Sequence, residues 1–108
     1  MNERERTEMM PITGELFSYA CAAEEISHHL FKVRLNSRGK PRLEKFDNAQ
    51  QGIAQAYETY HGLKQQLRQM GRAGILDIYQ PWLEVLEDKI KEEKSRFTKY
   101  WGKSAIAA

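Results

Sequence analysis

The sequence predicts an all-α protein, an antiparallel (up-down-up) bundle of three long helices. In three long segments, apolar residues recur at alternating spacings of three and four, which places them along one side of a helix. Short connectors containing Gly, Asn or Pro separate these segments. No segment shows the strict apolar and polar alternation of a half-buried strand. Long helices joined by short connectors favour antiparallel neighbours.

The first helix is predicted over residues 13–35. Its stripe consists of Leu16, Tyr19, Ala23, Ile26, Leu30 and Val33. Thr13 suits the N-cap, because its hydroxyl can accept a hydrogen bond from a free N–H of the first turn. The segment from Asn36 to Pro41 should end this helix, since Asn and Gly tolerate left-handed backbone and proline disfavours helix before it.

The second helix, predicted over residues 44–71, has the most regular stripe of the chain. Its members are Phe46, Ala49, Ile53, Ala56, Tyr60, Leu63, Leu67 and Met70. Gly71 is predicted at the left-handed position that follows a helix C-terminus, because glycine enters that conformation without a Cβ clash.

The third helix is predicted over residues 77–102. It starts either at Asp77 as a cap or at Gln80, with Pro81 in the first helical position. Its stripe is Leu83, Leu86, Ile90, Phe97 and Tyr100, with Glu93 at the one stripe position that is not apolar.

The predicted organisation is one helical domain at residues 12–103, between a flexible N-terminal tail at 1–11 and a C-terminal tail at 104–108. A second set of apolar residues widens the stripes beyond a simple coiled-coil seam: Phe17, Phe31, Ala54, Tyr57, Trp82 and Val85. Each helix then contacts two others within one chain, or the chain associates with itself. We expect a homo-oligomer or a subunit of a larger complex.

Composition excludes several classes of protein. Among the 108 residues Cys21 is the only cysteine, which excludes an intramolecular disulfide and a cysteine-based zinc site. No segment has the apolar length of a membrane span or of a signal peptide, so we expect a cytoplasmic protein without membrane contact. No catalytic set and no cofactor site is predicted. Cys21 and His28 lie about two turns apart on one helix, too far to act as nucleophile and base.

Two Glu-x-x-His spacings are the most enzyme-like feature of the sequence. Glu25 precedes His28, and Glu58 precedes His61. A glutamate and a histidine three residues apart share a helix face, as in carboxylate-bridged metal sites of helical bundles. Both pairs fall outside the apolar stripes, so no metal site is predicted within one chain. Only contact between subunits could assemble these four residues around a metal.

Basic residues concentrate in two segments. Residues 32–45 contain six cations against one acid, and the end of the third helix adds four more. In an up-down-up bundle the first connector and the end of the third helix lie at the same end, so the two segments should converge. The predicted binding set is Lys32, Arg34, Arg38, Lys40, Arg42, Lys45, Lys94, Arg96, Lys99, Trp101 and Lys103.

The predicted function is a non-catalytic binding or assembly subunit that contacts nucleic acid or an acidic protein surface through this basic end. Cations release the counterions condensed on nucleic-acid phosphates, and aromatic rings can stack on bases. The alternative is a helical adaptor or oligomeric scaffold without a nucleic-acid role. That protein would use the faces carrying Phe17, Phe31 and Trp82 as its contact surface.

Overall fold

Three α-helices make up nearly all of the described chain. A computed structural model describes the backbone of residues 3–70 and 73–102, with side chains from residue 14 onward. Helix α1 spans Glu3–Asn36, α2 spans Leu43–Gln69 and α3 spans Ile75–Gly102. The described residues contain no β-strand. The predicted all-α, three-helix fold is confirmed.

Side-chain contacts show that α1 and α3 run in the same direction. In the first half of α1 and near the start of α3, the Tyr79 hydroxyl donates to Glu15 at 3.4 Å. Near their ends, Arg34 Nε donates to Glu93 at 3.0 Å. Residue numbers therefore rise together along the two helices.

Helix α2 runs in the opposite direction. Its first turn contacts the last turn of α3, where the Phe46 and Trp101 ring centroids are 5.3 Å apart. Further along α2, the Tyr57 ring lies 5.8 Å from Lys94 Nζ, earlier in α3. The three helices thus form the predicted up-down-up bundle.

The core lies along the axis between the three helices. Tyr60, Leu63 and Leu67 of α2 and Leu83, Leu86 and Ile90 of α3 are buried, as their stripes predict. In α1 the inward face is rotated from the prediction. Leu16 is 42% exposed, whereas the preceding residue, Glu15, is buried.

The rotation of α1 follows from its close packing on α2. Small residues of α2, Ala49, Gly52 and Ala56, are buried where the two helices meet. A Cβ on Gly52 would lie 2.7 Å from Val33 Cγ2. Helix α1 contacts α2 much more extensively than it contacts α3. The face of α1 that turns inward is therefore the one toward α2, and Leu16 remains on the flank toward α3.

The helix boundaries differ from the sequence prediction at several points. Helix α1 begins at Glu3 rather than near Thr13, whose side chain lies outside the described part. Helix α2 ends with Met70 as its C-cap, and Gly71 also lies outside the described residues. Gly74, directly before α3, has a left-handed backbone with φ +73°.

Helix α3 begins at Ile75, before both predicted starts. Ile75 and Tyr79 are buried and extend the apolar stripe upstream, so burial favours helix before Asp77. Pro81 therefore lies inside the helix rather than in its first position. Without an N–H, it cannot donate to the carbonyl of Asp77 four residues earlier.

No helix in the described part of the chain combines the length and apolar character needed to cross a lipid bilayer.

Candidate functional site

The loop between α1 and α2 and the last turn of α3 meet at one end of the bundle. Trp101 Nε1 donates to Ser37 Oγ at 3.2 Å. The Tyr100 hydroxyl donates to the backbone oxygen of Gly39 at 2.6 Å. The structure thus brings together the two basic segments that are far apart in sequence.

The backbone of this loop is also fixed from α2. Lys45 Nζ donates to the carbonyl oxygens of Arg38 at 3.4 Å and Lys40 at 3.1 Å. Gly39 between them has φ +72°, a left-handed conformation that glycine adopts without a Cβ clash. Lys45, half-buried, therefore holds the loop in shape, and its charge is directed at protein carbonyls rather than at solvent.

Four of the predicted cations remain exposed at this end. We name Arg38, Lys40, Arg42 and Lys99 the cationic tip. Among the described residues, none of these four side chains has a carboxylate within ion-pair distance. The cationic tip thus presents four charges that no carboxylate of the described residues neutralises.

Arg34 and Arg96, two other predicted binding residues, are occupied by a buried carboxylate. Glu93 is only 3% exposed, and its two oxygens lie 3.0 Å from Arg34 Nε and 3.1 Å from Arg96 Nη1. Arg96 also pairs with Glu92 at 3.1 Å. A carboxylate withdrawn from water requires such partners, so these two arginines compensate Glu93.

Lys32 and Lys94 lie on the sides of the bundle, away from the loop. Lys32 Nζ donates to Gln51 Oε1 at 3.3 Å, between α1 and α2. Lys94 lies over the Tyr57 ring, between α3 and α2. Both are used in contacts between helices.

Trp101 does not offer a stacking surface, contrary to the prediction. Its side chain is 2% exposed and lies edge-on to Tyr100, with ring centroids 4.8 Å apart, and to Phe46. Because the apolar stripe of α3 turns inward at its last turn, this ring closes the core beneath the loop. Lys103, the remaining predicted residue, lies outside the described part of the chain.

The Glu-x-x-His residues do not converge. Glu25, His28, Glu58 and His61 are all exposed. Within the part of the chain that the structure describes, no three His, Cys, Asp or Glu side chains are grouped as metal ligands. The His61 ring instead stacks on Tyr57, with centroids 6.4 Å apart.

The three aromatic residues of the alternative contact surface are exposed but lie on different sides. Phe17 lines a groove between α1 and α2, beside Gly62 and Leu63. Trp82 lies between α3 and α1, with its ring 5.2 Å from that of Tyr19. Phe31 lines a second stretch of the α1–α3 side. The structure thus separates Phe17 from the other two.

Sequence reasoning missed two features that shape this site. It did not identify Lys45 and Tyr100 as side chains that fix the loop, because their roles depend on loop backbone geometry. It did mark Glu93 as an exception in an apolar stripe. An acid at a core position implies a cationic partner, and this signal could have pointed to Arg34 and Arg96.

Comparisons of this chain with protein-family models, with curated proteins and with solved structures find no match.

Proposed function

We propose that this protein is a non-catalytic helical binding module that contacts the phosphate backbone of a nucleic acid through the cationic tip. The observation that carries the proposal is that different side chains fix the first loop and supply its exposed charges. Arg38, Lys40 and Arg42 are exposed and form no ion pair with a described residue, while Lys45 and Tyr100 hold the loop backbone in place.

A fixed loop with free cations suits phosphate binding for an energetic reason. The loop backbone is already ordered, so binding does not incur the entropy cost of ordering it. Each phosphate contact also releases condensed counterions, so affinity should fall as salt rises. Four contacts on duplex DNA correspond to a slope of about −3.6 in log affinity against log salt concentration.

The mode of binding should be independent of sequence. Trp101 is buried, and the four free charges extend from a loop and a helix end rather than from a helix face suited to a groove. Phosphate contacts without base-edge contacts carry no sequence information. We therefore expect similar affinities for unrelated sequences of the same length.

The test compares two double variants of matched composition. Arg38→Ala with Lys40→Ala removes two charges of the cationic tip, and Arg68→Ala with Lys89→Ala removes an exposed Arg and Lys elsewhere. Fluorescence anisotropy with a labelled duplex of arbitrary sequence measures affinity over a salt series. The tip variant should lose about tenfold in affinity and reduce the salt slope by about 2. The control should stay within about twofold.

Two outcomes would reject the proposal. One is an equal loss of affinity in both double variants, which would indicate diffuse attraction by the whole surface. The other is tighter binding to polyglutamate than to duplex DNA or single-stranded RNA at the same salt, which would identify an acidic protein surface as the partner.

A further inference from the structure

The face of α1 that points away from α2 and α3 carries a second row of side chains at alternating spacings of four and three. All members of this row are exposed, and we name it the outer row: Phe17, Cys21, Glu24, His28, Phe31 and Leu35. On the opposite side of the same helix, Ala22, Ile26 and Val33 are buried. Helix α1 therefore has one face in the core and one face that nothing in the fold covers.

The outer row is apolar toward both ends. Phe17, Phe31 and Leu35 are 69%, 57% and 40% exposed, and Cys21 is an exposed free thiol. Phe17 leans toward α2 and Phe31 toward α3, but both rise from the outward face, because positions two heptads apart return to nearly the same side of a helix. A shallow depression connects Cys21, His28 and Phe31. Apolar residues at this spacing form the seam of paired helices.

Two polar residues, Glu24 and His28, occupy the middle of the outer row. Within the described part of the chain, neither side chain forms an ion pair. A helix that covered the row with apolar residues alone would withdraw the Glu24 carboxylate from water without a partner, which is costly. The helix that covers this row must therefore bring a hydrogen-bond donor to Glu24.

A second copy of this chain in antiparallel orientation meets that requirement. When two outer rows face each other about a two-fold axis at the level of Ile26, Glu24 of each copy lies opposite His28 of the other copy. In the same arrangement Cys21 lies opposite Phe31, and Phe17 lies opposite Leu35. All three pairs are centred on position 26, so a single register matches polar with polar and apolar with apolar residues.

Other arrangements of two copies do not achieve this match. A parallel pair places each residue opposite itself, so the two Glu24 carboxylates would face each other, and like charges at close range oppose association. An antiparallel pair shifted by one heptad places Glu24 opposite Cys21 or Leu35, neither of which is a good donor to a carboxylate. The polar pair thus selects both the direction and the register.

The residues that border the outer row do not oppose the contact. On the α2 side, Glu25 and Lys32 carry opposite charges, and Glu25 lies 3.9 Å from His29 of its own helix. On the α3 side, Arg34 is already paired with Glu93. The surface therefore has little net charge that would repel a second copy.

We propose that this protein forms an antiparallel dimer through the outer rows of α1, with Glu24 of each copy hydrogen-bonded to His28 of the other. An imidazole N–H can donate to the carboxylate in either protonation state of the ring. The apolar ends of the row supply the burial, and the central polar pairs fix the register, as polar seam residues do in coiled coils. Only one helix of each copy takes part, so association should be weak and depend on concentration.

The first test exchanges the polar pair. Sedimentation equilibrium of the full chain up to about 1 mM should show a monomer and a dimer. His28→Glu places carboxylates opposite each other and should weaken the dimer by about tenfold or more. The double variant Glu24→His with His28→Glu restores the pair with its members exchanged and should recover most of the affinity. A monomer at every concentration would overturn the proposal, and so would a double variant as weak as His28→Glu.

Two substitutions at similarly exposed apolar positions locate the contact. Phe31→Lys puts a charge in the outer row and should weaken the dimer by about tenfold or more. Val85→Lys on α3, where the side chain is 51% exposed, is the matched control and should change the dissociation constant by about twofold or less. Circular dichroism verifies that both variants keep their helices. Equal effects would contradict an interface on α1.

Disulfide cross-linking tests the direction of the two helices. Phe31→Cys places a new thiol opposite Cys21 of the other copy, so mild oxidation should yield a covalent dimer. In the unaltered chain the two Cys21 residues would lie about 15 Å apart along the axis, too far for a disulfide. Phe31→Cys combined with Cys21→Ser separates its thiols by the same distance and should not cross-link. If the unaltered chain instead cross-links through Cys21 as readily as Phe31→Cys does, the helices are parallel and the proposal is wrong.

Discussion

The two tryptophans of α3 lie in opposite environments although they share one helix and are about five turns apart. Trp101 is buried among Phe46, Phe97 and Tyr100, beneath a loop that three side chains hold in place. Trp82 is half exposed on the α1–α3 side, beside Tyr19. One end of the bundle is closed by aromatic packing, while the other leaves a large apolar ring half in water.

The closed end differs from the α1–α3 side because α1 packs more extensively on α2 than on α3. Small residues of α2 let α1 approach closely, so that side and the loop end are filled by the chain itself. On the side toward α3, large side chains of α1 and α3 are adjacent but do not bury one another. Surface that folding has buried contributes to stability, whereas surface left exposed remains for binding.

The strongest test of this comparison is truncation of each tryptophan. Trp101→Ala should lower the free energy of unfolding by about 3–5 kcal/mol, as expected for a buried tryptophan. Trp82→Ala should cost about 1 kcal/mol or less, because half of that ring is already in water. Urea denaturation followed by circular dichroism measures both. Equal losses would show that the surroundings of Trp82 are packed as tightly as the loop end.

A pair of glycines in α2 tests the close approach of α1. Gly52→Ala should destabilise the protein by about 1–2 kcal/mol, because the new Cβ would collide with Val33 and with the backbone oxygen of His29. Gly62→Ala has no atom within 4 Å of its new Cβ and should gain about 0.5–1 kcal/mol from helix propensity. Thermal unfolding of the two variants gives the sign of each effect. Stabilisation by both would contradict a close α1–α2 contact.

The smallest effect appears only in alkaline solution. Burial, followed by a hydrogen bond with Glu87, raises the pKa of Tyr60 from 10.0 to about 12. The folded protein keeps this proton while the unfolded chain loses it, so stability falls as pH rises from about 10 to about 12. Tyr60→Phe should reduce the loss of unfolding free energy between about pH 8 and about pH 11.

Tyr19→Phe provides the matched comparison on the α1–α3 side. Burial also raises the pKa of Tyr19, which is only partly buried beside Trp82. This variant should change the alkaline slope less than Tyr60→Phe does. A larger change at Tyr19 would mean that the α1–α3 contact shields its residues from water more than the α2–α3 contact does.

Apolar spacing predicted the helices and most of the core, and the short connectors predicted the helix directions. It could not predict which flank of α1 faces inward, because a wide stripe covers a range of angles and the packing of two neighbours selects among them. Leu16 was misplaced for this reason. The small residues of α2 that decide the rotation are visible in the sequence, but their effect depends on how closely two helix axes approach.

The candidate site was predicted in part. The meeting of the first loop with the end of α3 follows from the order of the helices. The pairing of Arg34 and Arg96 with Glu93 does not follow from the order of the helices. It depends on the axial positions of α1 and α3, which place both arginines beside Glu93. The burial of Trp101 likewise depends on the angle at which the last turn of α3 meets the loop.

An odd number of helices has an electrostatic consequence at the tip. Each α-helix carries a macrodipole of about half an elementary charge at each terminus, negative at the carbonyl end. Helices α1 and α3 both direct their carbonyl ends toward the first loop, whereas only α2 directs its N–H end there. About half a negative charge is left over at that end and offsets part of Arg38 and Lys99. A fourth helix running parallel to α2 would bring an N–H end to the tip and cancel this charge.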